Sequence, residues 1–410
     1  MSNKLDKIFE IVSFYDEARW SQTENYSLIN FCEDGLDADT KLLTHWLCYI
    51  TDRQMPFERI WDVGGFVLSE LVSEYKKKTP INKLLSPAEE NSFVIMEFDK
   101  KEKKYKHLFI GTKSPNKRIE ENYPAEAKNF HVKFKPRFLP SDYLCIFYTL
   151  YTLEKFDYSI SSYIAKAYYT FKGDKFLIQK ILFSLYLLSY RKIGQPKDED
   201  IEQWKENLGK ADKRRDEICK YFEHPEIKDD EFTEFQNNTR YNLKRAWCSL
   251  RDFLKSSEFK SYFKEAMKFH GINAEELFEE SILHQLELPG DVWNNNSKFR
   301  KCILAGTMYE NVDNKKLSVI LREYFDSQKN KQGYPEQFDI TFDFVPKMCD
   351  SANCDICPIG RLSDEKNKGQ DFENTCVKNK DMYCPVALVG CGYKKMCVGR
   401  EKCELLKILK

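Results

Sequence analysis

Eight of the 14 cysteines fall within the last 62 residues: Cys349, Cys354, Cys357, Cys376, Cys384, Cys391, Cys397 and Cys403. Thiolates are soft ligands that suit zinc and iron–sulfur clusters, and four of them close a tetrahedral zinc site or a cubane cluster. The segment therefore supplies up to two complete four-cysteine sites. No histidine follows His284, so coordination within the segment would be all-thiolate. Pro358, Gly360, Gly390, Gly392 and Gly399 break regular structure there and let the chain wrap an ion. The spacings, x4 and x2 from Cys349 to Cys357 and x6, x5 and x5 from Cys384 to Cys403, differ from the paired C-x2-C knuckles of zinc ribbons. A 4Fe–4S cluster and zinc both stand as cofactors. Ordinary buried thiols are the plain alternative, but a loop-rich segment offers no packing reason to cluster them.

The compartment bears on this assignment. The opening residues carry acidic side chains and no apolar run long enough for a signal peptide, and no stretch approaches the roughly 20 apolar residues of a membrane span. The expectation is a cytoplasmic protein without a membrane partner, where clustered cysteines bind metal more often than they pair as disulfides. From Cys376 onward there are eight Lys or Arg and three Asp or Glu. This excess either balances thiolate charge or presents Lys394 and Lys395 to phosphates.

A second arrangement precedes the cysteines. An apolar helix stops at Gly271, another begins with Asn273 as N-cap and Glu276 three residues on, and Leu288-Pro289-Gly290 ends it. Asp291 then opens a helix that carries Trp293, Lys298 and Arg300. An Asp at a helix start is commonly a cap. Helix, glycine turn, helix, an Asp 20 residues after Gly271, a basic helix and then Cys349-x4-Cys354-x2-Cys357-Pro358 together resemble the order of elements in the endonuclease III-like helix-hairpin-helix DNA glycosylases. The resemblance covers roughly residues 262–376. It implies DNA as partner, Gly271 in a hairpin turn whose amides grip a phosphate, Asp291 as the catalytic carboxylate and a cysteine-held cluster downstream. Asn273, Ala274 and Glu275 stand where lyase-type members place a lysine, so the implied enzyme is monofunctional.

Other side chains have simpler readings. His45 lies seven residues before Asp52, a spacing compatible with an acid/base pair. The trio Asp52-Arg53-Gln54 reads better as a helix C-terminus stabilised by Arg53 than as the lining of a cleft. Trp247 to Asp252 reads as a core helix segment with a surface ion pair between Arg251 and Asp252. The stretch 100–137 holds 12 Lys or Arg interleaved with Tyr105, Phe109, Phe130 and Phe134, which fits either a single-strand-binding stripe or a solvated hairpin with inward aromatics. The chain lacks G-x-x-x-x-G-K-[ST], H-E-x-x-H, G-x-S-x-G and a strand-borne G-x-G-x-x-G, which argues against P-loop, zincin, α/β-hydrolase and dinucleotide chemistry.

These residues need a scaffold. With 16 Gly and 14 Pro in 410 residues and long apolar periodicity, the expected fold is mainly α, with multi-helix globular domains, a small β-hairpin insertion and a C-terminal cysteine-rich metal module. An aromatic content of 14% excludes disorder, and 65 basic against 65 acidic side chains exclude a wholly basic coat protein. Helices are expected over 41–75, broken at Pro56, over 141–190, and from Tyr241 to about Glu310; SFVIMEF and KHLFI should pair as a hairpin. The charged run after Gly194 and Pro196 marks a boundary or an exposed helical connection. Expected domains are 1–140, 141–335 and 336–410. The functional expectation is a nucleic-acid-acting protein, most concretely a monofunctional DNA glycosylase-like hydrolase. The alternatives are a non-enzymatic metal-stabilised nucleic-acid or protein-binding module and an iron–sulfur redox partner.

Overall fold

The computed structural model describes residues 35–51, 60–85, 92–99, 104–112, 117–122, 132–134, 139–189, 201–237 and 242–279, with the single positions 124, 283 and 337. Ser27–Gln236 and Arg245–Phe278 form one compact unit; Met1–Tyr26, Asn237–Lys244 and Glu279–Lys410 form a second, most of which lies outside the described residues.

The first unit is built around helix α1, Ala38–Thr51. Asp37 starts it: its carboxylate accepts from the Thr40 amide at 2.9 Å and from the Thr40 hydroxyl at 2.6 Å, satisfying an amide that has no partner within the helix. Burial alone would raise the Asp37 carboxyl, but these Thr40 hydrogen bonds and the charge of Lys76 outweigh it and hold the group below its ordinary value. Every residue of α1 except Lys41 is buried, and Lys41 lays its ammonium over the Tyr262 ring at 4.2 Å. A helix covered on all sides requires neighbours on all sides.

Those neighbours follow in chain order. A π-helical turn, Ile60–Gly64, leads into α2, Gly65–Lys76, and a single turn, α3, spans Ile81–Leu84. The expected hairpin then forms from β1, Val94–Asp99, and β2, Lys104–Thr112, paired antiparallel with a register shift between Glu97 and Phe98. After α4, Lys117–Asn122, a third strand, β3, Val132–Phe134, adds antiparallel to β2. The hairpin is thus part of a three-stranded sheet with β2 at its centre. Gly111 lets the strands close: a Cβ there would lie 2.7 Å from the Val132 carbonyl oxygen and collide with the Ile95 side chain.

Helices α5, Leu139–Leu153, α6, Ile160–Phe171, and α7, Leu177–Leu188, are the expected core helices. Helix α5 packs on both α1 and β2, so the division expected at residue 140 falls inside one unit. The boundary expected at 335–336 lies outside the described residues. The charged run after Pro196 becomes a 23-residue helix, α8, Ile201–Glu223. It is more than an exposed connection, because Ala211, Ile218, Tyr221 and Phe222 are buried and α8 packs against α5 and α6. A 3-10 turn, Pro225–Lys228, precedes α9, Asp229–Asn237; then follow α10, Asn242–Lys255, α11, Ser257–Phe269, and the short α12, Glu275–Phe278. Helix α1 meets α2, α5, α6 and α11.

The fold yields a direct stability expectation. Leu47 on α1 is completely buried, so Leu47→Ala should remove roughly 2–5 kcal/mol of stability in denaturant titrations. A loss below about 0.5 kcal/mol would show that α1 is not packed as described.

Candidate functional site

Two polar networks run from α1 to its neighbours, and both contain the residue types of hydrolytic chemistry. In the first, the carboxylate of Asp252 on α10 is the hub. His45 Nε2 lies 3.2 Å from its Oδ2, the Tyr49 hydroxyl donates to the same oxygen at 2.6 Å, and Arg251 Nε donates to Oδ1 at 3.3 Å. On the other side of the imidazole, Nδ1 lies 3.2 Å from the Ser249 hydroxyl. With Nε2 protonated toward Asp252, Nδ1 accepts from Ser249, giving a serine–imidazole–carboxylate order. Geometry alone would allow His45 to deprotonate Ser249. Access does not follow, since Ser249 is fully buried and His45 is 1% exposed. Phe253 and Phe259 flank the imidazole, with ring centroids 5.2 and 4.0 Å away. The arrangement is therefore a buried joint between α1 and α10.

Burial pushes the His45 pKa below its ordinary value of 6.5, against the opposing pull of Asp252. The expected surface ion pair Arg251–Asp252 is thus corrected to a buried one, at 2% and 8% exposure. Asp52, the partner expected for His45 from spacing, lies outside the described residues.

The second network starts at Asp39 in the first turn of α1. Its Oδ2 accepts from Lys76 Nζ on α2 at 2.6 Å. Its Oδ1 accepts from the Ser161 amide at 2.7 Å and the Ser159 hydroxyl at 2.9 Å. Ser159 is itself the N-cap of α6 and accepts from the Ser162 amide at 3.0 Å. A carboxylate from another helix thereby sits at the positive end of α6. The chain of contacts continues from Ser159 Oγ to Ser161 Oγ at 3.0 Å and on to His270 Nε2 at 3.1 Å. When His270 carries its proton on Nε2, donors align in one direction from His270 through Ser161 and Ser159 to Asp39. When Nε2 is bare, Ser161 turns its single proton toward the imidazole. Partial burial lowers the His270 pKa, against the opposing charges of Asp39 and Asp157.

His270 borders the turn singled out in the sequence. Helix α11 ends there as expected, with Gly271 at φ +70°. The Ile272 amide donates to the Met267 carbonyl at 3.1 Å and the Gly271 amide to the Lys268 carbonyl at 3.0 Å, which is a Schellman closure requiring a left-handed residue at Gly271. Both amides are thereby directed into their own helix. Asn273 does serve the next helix, accepting from the Glu275 amide at 3.3 Å. The expected return contact from Glu276 is replaced: its carboxylate accepts from the Tyr168 hydroxyl at 2.9 Å.

Asp291, Lys298, Arg300, Lys394, Lys395 and the eight clustered cysteines lie outside the described residues, as do the side chains of the basic stripe Tyr105, Phe109, Phe130 and Phe134. Cys48, Cys145 and Cys248 are buried and Cys219 half-buried, all as free thiols. Cys48, Cys145 and Cys248 are thus ordinary core residues. Among the described residues no group of three His, Cys, Asp or Glu is placed to hold a metal ion, and no helix is long and apolar enough to cross a membrane.

No protein-family model, curated protein or solved structure matches this chain. The site is accordingly argued from its own chemistry. Sequence spacing missed both networks because their members are far apart in the chain, His45 and Asp252 by 207 positions and Ser161 and His270 by 109. The available signal was local: Thr44 and His45 interrupt the apolar run between Leu42 and Ile50.

Two outcomes follow for the Asp252 joint. Asp252→Ala removes a shared buried acceptor and should cost about 3–5 kcal/mol in denaturant titrations. Because the folded pKa of His45 is depressed, the unfolded chain takes up the proton first. Its contribution to stability is full above pH 6.5 and is lost as pH falls through the lower folded value. His45→Gln should flatten the decline in melting temperature just below that pH; an unchanged profile would contradict the assignment.

Proposed function

We propose that the protein acts on nucleic acid and holds a 4Fe–4S cluster or zinc through its C-terminal cysteines, most concretely as a monofunctional DNA glycosylase-like base-excision enzyme. The observation that carries this reading is the set of eight cysteines in 62 residues without an accompanying histidine. Cys349, Cys354, Cys357 and Cys376 make one four-thiolate set in chain order, and Cys384, Cys391, Cys397 and Cys403 another. When bound, such a metal ties together a loop-rich segment that has little apolar core of its own. The helix–Gly271–helix turn supports the resemblance, and Asp291 follows it in the order the resemblance requires.

In this reaction the bond between the sugar C1′ and the base nitrogen breaks, and a water oxygen takes the base's place at C1′. The base leaves with the bonding electron pair and gains a proton. A carboxylate at Asp291 would stabilise the cationic sugar as that bond lengthens and orient the water. The base must be turned out of the duplex for the carboxylate to reach it.

One observation favours a second reading. The Gly271 and Ile272 amides close α11, so a phosphate grip by these two amides would require reopening that cap. A non-enzymatic, metal-stabilised nucleic-acid-binding module, with Asp291 as a helix cap, needs no such grip.

Metal content separates these readings from a metal-free protein. Anaerobically purified protein should contain stoichiometric zinc, or iron and sulfide with broad visible absorbance, and Cys354→Ser with Cys357→Ser should lower that content. Absence of both metals would overturn the proposal. For the catalytic role, duplexes carrying modified bases are incubated and scored for abasic sites. Asp291→Asn should reduce product formation by about 100-fold or more; unchanged activity would reassign Asp291 to a helix cap.

A further inference from the structure

Two aromatic rings beside the Gly271 turn face solvent. Phe269, the last residue of α11, is 88% exposed, and Tyr169 on α6 is 53% exposed. They lie on one patch. The Tyr169 hydroxyl donates to the His270 carbonyl at 2.8 Å, and the Phe269 ring meets His270 edge-on with centroids 5.4 Å apart. Tyr169 is held at its neighbour too, its ring lying 5.5 Å from that of the buried Tyr168 in a T-shaped contact. Its hydroxyl is therefore anchored while much of the ring stays in water. A fixed, solvent-facing tyrosine loses little side-chain freedom when a flat ligand covers it.

The charges around the pair are predominantly basic. Lys166 lies three residues before Tyr169 on the same face of α6, and Lys172, just past the end of that helix, holds its ammonium 5.5 Å from the Tyr168 ring centroid. Lys268 adjoins Phe269. All three are exposed, and among the described residues none of them forms an ion pair. Two nearby carboxylates are engaged: Glu275 pairs with Lys264, and Glu276 accepts from Tyr168. Glu265, one turn before Phe269, and Asp157, whose charge reaches His270, are exposed carboxylates beside them.

Bare aromatic faces next to ammonium groups that form no ion pair among the described residues match a polyanion that also presents flat apolar faces. Single-stranded nucleic acid has that combination, with bases free to stack and phosphates to neutralise. In a duplex the base faces are already covered by their neighbours. We propose that Tyr169 and Phe269 form a stacking platform for single-stranded nucleic acid, with Lys166, Lys172 and Lys268 engaging its phosphates. The inference rests on the nucleic-acid reading above and adds the strand form and the surface that holds it.

The test uses the full chain and a fluorescein-labelled oligothymidylate, followed by fluorescence anisotropy across a salt series. Phe269→Ala should weaken binding about tenfold, and combining it with Tyr169→Leu should weaken it further. Replacing Lys166, Lys172 and Lys268 by Gln should make the dependence of log affinity on log salt shallower by about 0.7 per lysine. Phe269 contributes almost nothing to the core, so its variant should melt like the parent; if Tyr169→Leu lowers the melting temperature, Phe269→Ala alone decides. Binding of the oligonucleotide with affinity and salt slope unchanged in all variants would overturn the platform and leave the nucleic-acid reading standing. Binding of duplex but not of oligothymidylate would do the same. Failure of the parent protein to bind either form at low salt would remove both.

Discussion

A helix buried at every position but Lys41, and carrying polar side chains, sets a condition for everything around it: its donors and acceptors need partners. Each buried donor or acceptor left unpaired costs about 1–3 kcal/mol, and among the described residues Thr44 Oγ1 and Trp46 Nε1 on α1 bear that cost, having no hydrogen-bond partner. On α1, Asp39 and His45 meet that condition through side chains and amides on α2, α6 and α10. Tyr49 joins His45 at Asp252, and Thr51 returns its hydroxyl to the Leu47 carbonyl of its own helix. The apolar residues fix that α1 is inside. The polar ones fix which neighbour sits on which side, since an apolar face alone tolerates sliding and rotation far better than a set of hydrogen bonds does.

This condition reaches the surface beside the Gly271 turn. Asp39 caps α6 from outside, and the Ser159–Ser161–His270 contacts link that cap to the end of α11. Tyr169 ties the same two elements from the solvent side. The Gly271 turn is therefore braced from below by a polar chain and from above by an aromatic hydroxyl. A platform that receives a flat ligand benefits from such bracing, because its rings are already positioned before the ligand arrives.

Much of this architecture was legible from the order of residues. The helices over 139–188 were marked by apolar spacing, the β1–β2 hairpin by β-rich segments around a charged tip, and the end of α11 by Gly271. Strand β3 was missed because three residues carry too little alternation to register, and its pairing with β2 is a tertiary event. Arg251 and Asp252 looked like a surface pair because adjacent opposite charges on a helix usually face water. Their burial follows from His45 and Tyr49, which converge on Asp252 from a distant helix. Glu276 looked like half of a capping box, yet Tyr168 competes for its carboxylate, and no local pattern reveals a competitor from another helix. The cysteine chemistry, by contrast, rests on residue type and crowding in the sequence itself.

Hydrogen exchange under native conditions tests the bracing most directly. If Asp39 joins α1, α6 and the Gly271 turn, then Asp39→Asn should speed exchange together at the Ser161 and Ser162 amides, along the first turns of α1, and at Gly271 and Ile272. The buried amides around His45 should still open only with global unfolding. Acceleration confined to the first turn of α1, with the α6 start and the Gly271 turn unchanged, would contradict the account.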